Sequence, residues 1–436
     1  MKDIKIKINK LGAIRDSEIT MAPLLVISGE SNLGKSYLAT LIHYMYRQLL
    51  EWKFRDFFSQ KGWSYEILAQ NNKEEGKISF STSELIEWLN EDACKYMRKA
   101  LGNPGMEMDI MFEIPLKQDT YNMTYKTELM GISGKEELYL IFEIEDFKNA
   151  YRIPANSKDI SILPWYELFG LEIKTELLGD DYLEETFTMP PGRGVLLNVG
   201  SALQDSLRGE SAIIKEFLDD WDIVKRMDPK EQVDPNLYQF LTDIIEGKIV
   251  IDGTRGLLYQ MQNGSNQPIP INAAASSIKE LAPLSMLVEK CPIESLSILF
   301  EESEAHLHPS KQLKIADFIA LAASKGAHMQ ITTHSDYVIR RINDRIMLHF
   351  LKNHLSETEY SKLLKESKFN DLTLDPALVG AYLLRKKNGT SDSVEVVHQS
   401  SSSEGISYES FYSVLENDVQ NSYIIKRFFD DARQNC

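Results

Sequence analysis

The chain has 436 residues, more than one compact core usually needs, so two or three lobes are expected. Its 65 acidic residues outweigh 48 basic ones, and the formal net charge of −17 disfavours nonspecific adhesion to nucleic acid while leaving room for a local basic groove. No run of about 18 apolar residues is present to span a bilayer, the basic, alternating Met1 to Lys10 has no signal-peptide core, and Cys94, Cys291 and Cys436 are too scattered for a disulfide scaffold or metal pair; a cytoplasmic protein with no membrane partner is expected.

Ile4, Ile6 and Ile8 alternate as in a strand, and Pro23 to Ser28 forms a second, more apolar one. The loop after it, Gly29-Glu30-Ser31-Asn32-Leu33-Gly34-Lys35-Ser36, fits the phosphate-binding pattern G-x-x-x-x-G-K-[ST]. Leu38, Leu41, Ile42, Met45 and Leu49 then recur at helical spacing, so a helix starts where such a loop needs its positive N-terminus. A nucleoside triphosphate is the expected ligand, with Lys35 neutralising its outer phosphates and Ser36 on Mg2+. Beyond Glu51 the pattern loosens through a polar Gln70 to Gly76, and a helix is predicted from Ser83 to Leu101, stopped by Asn103-Pro104-Gly105. Residues 109–153 alternate as β-hairpins do, which predicts an antiparallel sheet; 201–246 read as helical, and Ile249 to Tyr259 as a hairpin turning at Gly253. No heptad pattern persists, so no long coiled-coil arm is expected.

The strand Leu296 to Phe300 ends in Glu301-Glu302, as a Walker B element should: a buried strand delivering carboxylates to the metal and to the attacking water. Ser303-Glu304-Ala305-His306-Leu307-His308-Pro309 follows, then a helix from Ser310 and a strand from His328 to Thr332, with Thr333-His334-Ser335 at its tip. A βαβ order of this kind gathers the polar tips at the carboxyl edge of one parallel sheet, where ligands bind.

With these residues the chain resembles the ABC-type ATPase superfamily, in the branch that holds the RecF, SMC and OLD proteins and the ATPase subunits of bacterial anti-phage systems. The resemblance is carried by GESNLGKS at 29–36, SSIKELAPL at 276–284, ILFEESEAHLHP at 298–309 and ITTHS at 331–335; Met189 to Arg193 is similar to a proline-arginine segment of many such ATPases. It implies an α/β fold: an ABC-type P-loop ATPase head with an antiparallel β lobe, a parallel-sheet core and a mostly helical insert. The head would comprise 1–50 and 247–350, the lobe and insert 51–246, and a C-terminal α/β extension 351–436. Carried over residue by residue, Glu302, His334 and Lys35 are the catalytic set, and Ser36 and Glu301 hold Mg2+. Gly29, Asn32, Gly34, Lys35, Ser36, Tyr37 and Ser277 contact ATP, Ser277 from the signature segment of a second copy, so a homo-oligomer of at least two chains is implied. Departures from the family pattern are Glu301 for the usual Asp, Ile278 for the signature glycine and Ser303 for a common proline; the signature change leads to an expectation of slow basal hydrolysis.

Plainer readings stand beside these. Glu301, Glu302 and Glu304 could be a solvated helix start, His306 and His308 could cap a turn or bind metal, and Arg193 could be a surface arginine. The cations among residues 340–387 read as a solvated face. No effector motif is recognised in the sequence, so the resemblance suggests an ATPase that controls a separate nuclease or toxin in anti-phage defence, with DNA or a phage component as a possible trigger. Two alternatives remain open: a RecF-like DNA-binding repair ATPase, and an ABC-headed anticodon nuclease.

Overall fold

The computed structural model describes residues 3–51, 54–60, 75–132, 135–145, 150–154, 164–179, 182–197, 201–228, 233–262, 267–387, 393–407 and 418–429. Most of the polar stretch Gln70 to Gly76 lies outside the described residues. β1 (Lys5–Leu11) and β2 (Ile14–Thr20) form an antiparallel hairpin. The sequence does not announce β2, because Asp16 takes a left-handed backbone (φ 45°) and the buried positions become Ile14, Ser17 and Ile19, which breaks the period of two. β3 (Leu24–Gly29) is buried on both faces, with Leu25 and Ile27 in one apolar core and Leu24 and Val26 in the other. A strand covered on both sides reads as a continuous apolar run, as this one does.

α1 (Lys35–Leu50) follows the glycine-framed loop, and after it come α2 (Phe54–Gln60), β4 (Glu75–Ser81) and α3 (Thr82–Ala100). α3 starts in a capping box between Ser81 and Glu84, which fixes its N-terminus one residue before the predicted start. β5 (Met108–Glu113) pairs with β1, whereas β6 (Thr120–Ile132), β7 (Lys135–Ile144) and β8 (Ala150–Pro154) join β4 in a four-stranded antiparallel sheet, the expected lobe. α4 (Pro164–Leu178) leads to β9 (Glu185–Met189) and the single turn α5 (Arg193–Leu196), and the stretch 201–246 predicted as helical resolves into α6 (Ser201–Glu210), α7 (Ala212–Arg226) and α8 (Pro235–Ile245). β10 (Gly247–Asp252) and β11 (Gly256–Met261) are the expected hairpin, extended by β12 (Ile269–Pro270).

Next come α9 (Ser276–Lys290), β13 (Leu296–Phe300), α10 (Pro309–Ser324), β14 (His328–Thr333), α11 (Asp336–His354), α12 (Glu357–Ser367), β15 (Val379–Lys386) and β16 (Val394–Gln399), followed by a small two-stranded sheet of β17 (Ser401–Ser402) and β18 (Gly405–Ile406). The central sheet has nine strands in the order β5-β1-β2-β16-β15-β3-β14-β13-β9. Its half from β15 to β9 is parallel throughout, and the half from β5 to β16 is mixed. The fold is therefore α/β with a large mixed sheet, and the purely parallel core expected from the βαβ order covers only half of it. Segments 51–246 and 351–436, read from the sequence as insert and extension, both supply strands to this sheet: β5 and β9 from the first, β15 and β16 from the second.

The helices divide between the two faces of the sheet. One core packs α1 and α3 against Ile6, Ile27 and the antiparallel lobe; the other packs α9, α10 and α11 against Val26, Ile298 and Ile331. At its far end α1 is tied to α7 by an ion pair from Arg47 to Glu216, beside which the His43 ring lies 3.7 Å from the same carboxylate. Burial pushes the His43 imidazole down to about 3, with Arg47 adding to the fall, so it is neutral here.

Candidate nucleotide site

The carboxyl ends of β3, β14 and β13 lie side by side in that order, which brings the three motifs to one edge of the sheet. The loop after β3 needs its glycines for two separate reasons. Gly29 sits at φ 133° against β15, where a Cβ would fall 2.4 Å from the Leu384 carbonyl oxygen; Gly34, at φ 96°, is the left-handed N-cap of α1. Asn32 also has a positive φ of 64°, a conformation Asn tolerates better than most residues.

A cavity of about 620 Å³ opens over this loop, lined by Ser31 to Tyr37 on one side, by Gly12 and Ala13 of the β1–β2 turn on another, and by Glu302, Thr332 and His334 opposite. Lys35 is only 7 % exposed, and its ammonium donates to the carbonyls of Gly29 at 3.0 Å and Glu30 at 2.7 Å. Burial lowers its pKa to about 8 against the opposing pull of Glu302 and Glu304. Glu301 is 2 % exposed and faces inward beside the Ser36 hydroxyl; burial raises its carboxyl to about 7, while Ser36 and Arg193 oppose the rise. Its Oε2 makes no hydrogen bond of good geometry, an unusual condition for a buried carboxylate oxygen. Glu302 stands on the cavity wall with a left-handed backbone, φ 44°, held by its N–H donating to Thr332 Oγ1 at 2.9 Å. The two acids thus point in different directions from one strand end, so a solvated helix start does not describe them. His334 is exposed on the cavity wall, and its pKa is lowered first by desolvation and then by Lys35.

Arg193 is not a surface residue. It is completely buried, and its guanidinium donates to the carbonyls of Glu280 on α9 at 2.9 Å, Pro190 at 3.1 Å and Glu301 at 2.8 Å. It also lies 4.7 Å over the Phe300 ring and 3.6 Å from the Glu280 carboxylate, which is itself only 2 % exposed. Desolvation lowers its pKa to about 10, where it remains a cation at neutral pH. One side chain therefore pins α9 to the tip of β13.

The structure gathers Asn32, Gly34, Lys35, Ser36, Tyr37, Glu302 and His334 around one cavity, with Glu301 and Gly29 directly behind it. Ser277 is not among them: it sits half-buried in the first turn of α9, outside the cavity lining. Ile278, beside it, packs against the second core, which gives its apolar side chain a structural use at the usual glycine position. His308 caps α10, its Nδ1 accepting from the N–H of Ser310 at 3.3 Å. Gly12, Ala13, Thr332 and Glu304 escape the sequence reading; Gly12 alone left a signal, as the turn between two strands of which only the first was legible.

Residues 196–339 match the family model of the AAA ATPase domain. The match supports a P-loop ATPase. It spans α9, both Walker B acids and His334, while the phosphate loop at 29–36 lies outside it and supports the same assignment independently. No curated protein matches the chain. Among solved structures, an SmcHead bound to the C-winged helix domain of ScpA is 13 % identical, with a TM-score of 0.37, 91 % of this chain and 97 % of that one being covered. The SMC head domain from Thermotoga maritima is 10 % identical at a TM-score of 0.33, covering 91 % and 99 %. An Smc head with an extended coiled coil, bound to the C-terminal domain of ScpA derived from Pyrococcus furiosus, is 13 % identical at 0.36, covering 96 % and 99 %. Among the described residues no helix is long and apolar enough to cross a membrane.

Proposed function

We propose that the chain is a slow, Mg2+-dependent ATPase that self-associates and controls a separate effector protein, a nuclease or toxin, in anti-phage defence. The observation that carries the ATPase part is the convergence of Lys35, Ser36, Glu301, Glu302 and His334 on one cavity from three adjacent strand ends. Ser36 and Glu301 fit Mg2+: a hydroxyl and a buried carboxylate stand together, and the carboxylate keeps an oxygen with no hydrogen-bond partner. When bound, Mg2+ supplies charge neutralisation to the phosphates. Lys35 offers a second positive charge to the phosphates, Glu302 a carboxylate to orient water, and His334 a donor to the outer phosphate, so catalysis rests on positioning and electrostatics.

Self-association is supported by the family resemblance, in which a second copy supplies the signature segment, and agrees with Ser277 lying outside the cavity of its own chain. Ile278 removes the backbone freedom of glycine from that segment, which supports slow basal turnover; sedimentation and steady-state kinetics test both, and a monomer with brisk turnover contradicts them. The effector part is supported by the family resemblance and by the antiparallel lobe and helices α6 to α8, which the nucleotide chemistry leaves unused. A chain of net charge −17 suits a basic partner. Co-purification from the native operon tests it: a second polypeptide should be recovered whose activity depends on Lys35 and Glu302. An isolated chain that cleaves nucleic acid unaided rules the reading out, and DNA affinity falling steeply with salt favours the repair alternative.

A further inference from the structure

Glu304 stands two residues beyond the Walker B acids and does not line the cavity. Its carboxylate reaches instead to the tip of β14. There Oε2 accepts from Thr333 Oγ1 at 2.9 Å, and Oε1 accepts from the backbone N–H of His334 at 2.6 Å. Ser303 Oγ donates to Oε2 as well, at 3.3 Å. In the opposite direction Thr332 Oγ1 accepts the N–H of Glu302. The two strand tips are therefore laced together from both sides, and the lacing holds the peptide from which the His334 imidazole projects.

Only an acceptor with several lone pairs serves three donors at once, and a carboxylate has about four such sites. Bonds from an N–H or O–H to an ionised carboxylate are shorter and roughly twice as strong as neutral ones, which suits a group that must fix one peptide orientation. The chain continues the same arrangement, because Thr333 Oγ1 accepts from the N–H of Ser335 and Ser335 caps α11 through the N–H of Val338. His334 thus lies between a strand end and a helix start that are both fixed, with Glu304 bonding its own N–H.

We infer that Glu304 is a positioning residue that sets the place of His334 over the cavity without touching nucleotide itself. The inference rests on the ATPase reading of the site. It is tested in the purified full chain by ATP binding and turnover in Glu304→Ala, Glu304→Gln, His334→Ala and the double variant Glu304→Ala/His334→Ala. Glutamine keeps an oxygen for the His334 N–H, and its NH2 can donate to Thr333 Oγ1, so both bonds to the tip of β14 survive with the charge removed and only the longer one from Ser303 is lost. Displacing a catalytic group by about 1 Å can cost on the order of 100-fold.

The expected result is a kcat about 10- to 100-fold lower in Glu304→Ala with nucleotide Kd changed less than about threefold, Glu304→Gln within about threefold of the parent, and a double variant no slower than His334→Ala. Should Glu304→Ala fail to fold, Thr333→Val removes the bond to Glu304, together with the one from the Ser335 N–H, at nearly constant shape and should lower kcat several-fold in the parent but not in the His334→Ala background. Losses that add in the double variant, a Gln variant as slow as Ala, or full turnover in Glu304→Ala while His334→Ala is impaired each overturn the inference and leave the ATPase reading standing. Full turnover in His334→Ala overturns that reading of His334 itself, and this inference falls with it.

Discussion

Replacing Arg193 by methionine keeps much of its volume and removes its charge and all its donors. Three backbone carbonyls, from Pro190, Glu280 and Glu301, lose their partner, and the Glu280 carboxylate keeps only the N–H of Gly194 at 3.2 Å. Removing one member of a buried ion pair costs about 3–5 kcal/mol, chiefly because the other charge stays buried. Unfolding entropy near 2.1 cal/mol/K per residue gives about 0.9 kcal/mol/K for a chain of 436 residues, so a loss of about 4 kcal/mol lowers the melting midpoint by about 4–5 °C. Calorimetry of Arg193→Met, Glu280→Gln and the double variant measures this directly. The double variant should recover about 2 kcal/mol relative to the sum of the singles, since the orphaned charge is gone. A shift under about 1 °C for Arg193→Met, or strict additivity, would refute the view that this pair fastens α9 to the Walker B strand.

Three further outcomes are expected. Lys35→Ala should weaken ATP binding by about 100-fold or more, two charge-assisted contacts at about 1.5–3 kcal/mol each being lost, with an unchanged circular dichroism spectrum; titration calorimetry showing undiminished binding contradicts the phosphate-loop assignment. Glu302→Gln should hold ATP yet turn over about 100- to 1,000-fold more slowly, whereas Glu301→Gln should first raise the Mg2+ concentration needed for half-maximal rate; small and equal effects of both would return the acids to the surface. Free Lys35 loses its proton near pH 8 and must regain it to bind phosphate, so the Kd for ATP should be flat below pH 8 and rise by up to tenfold per unit above it, and a Kd that stays flat to pH 9.5 counts against the role of the buried ammonium.

The phosphate loop and Walker B strand were legible because their chemistry is written in consecutive residues, with apolar runs before each. β13 coincides with the predicted strand from Leu296 to Phe300, and β14 ends one residue beyond its prediction. What escaped depends on distant partners. Gly29 reads as a phosphate-loop glycine, but its neighbour is Leu384, more than 350 residues away on β15. Arg193 reads equally as surface or site, and only its bonds to Glu280 and Glu301, 87 and 108 residues further along, decide the matter. β9 lies beside β13 and is nearly all buried, yet its two threonines hide it from an apolar pattern.

Several local rules are broken at the same sheet edge. Glu302 and Asn32 have left-handed backbones, and Arg193, Glu280, Glu301 and Lys35 are charge-bearing side chains at 0, 2, 2 and 7 % exposure. Apolar residues of like volume would often serve stability as well as a buried pair does, or better. Their placement gives a reason for keeping them: Glu280 on α9, Arg193 between it and the tip of β13, Glu301 at that tip and Lys35 in the phosphate loop lie at one edge of the sheet. Glu280 and Glu301 sustain the proton on Arg193, and Arg193 favours the ionised form of Glu301. The buried charges therefore fasten α9 to the tip of β13 beside the phosphate loop, a place where local rules are broken for the site rather than for stability.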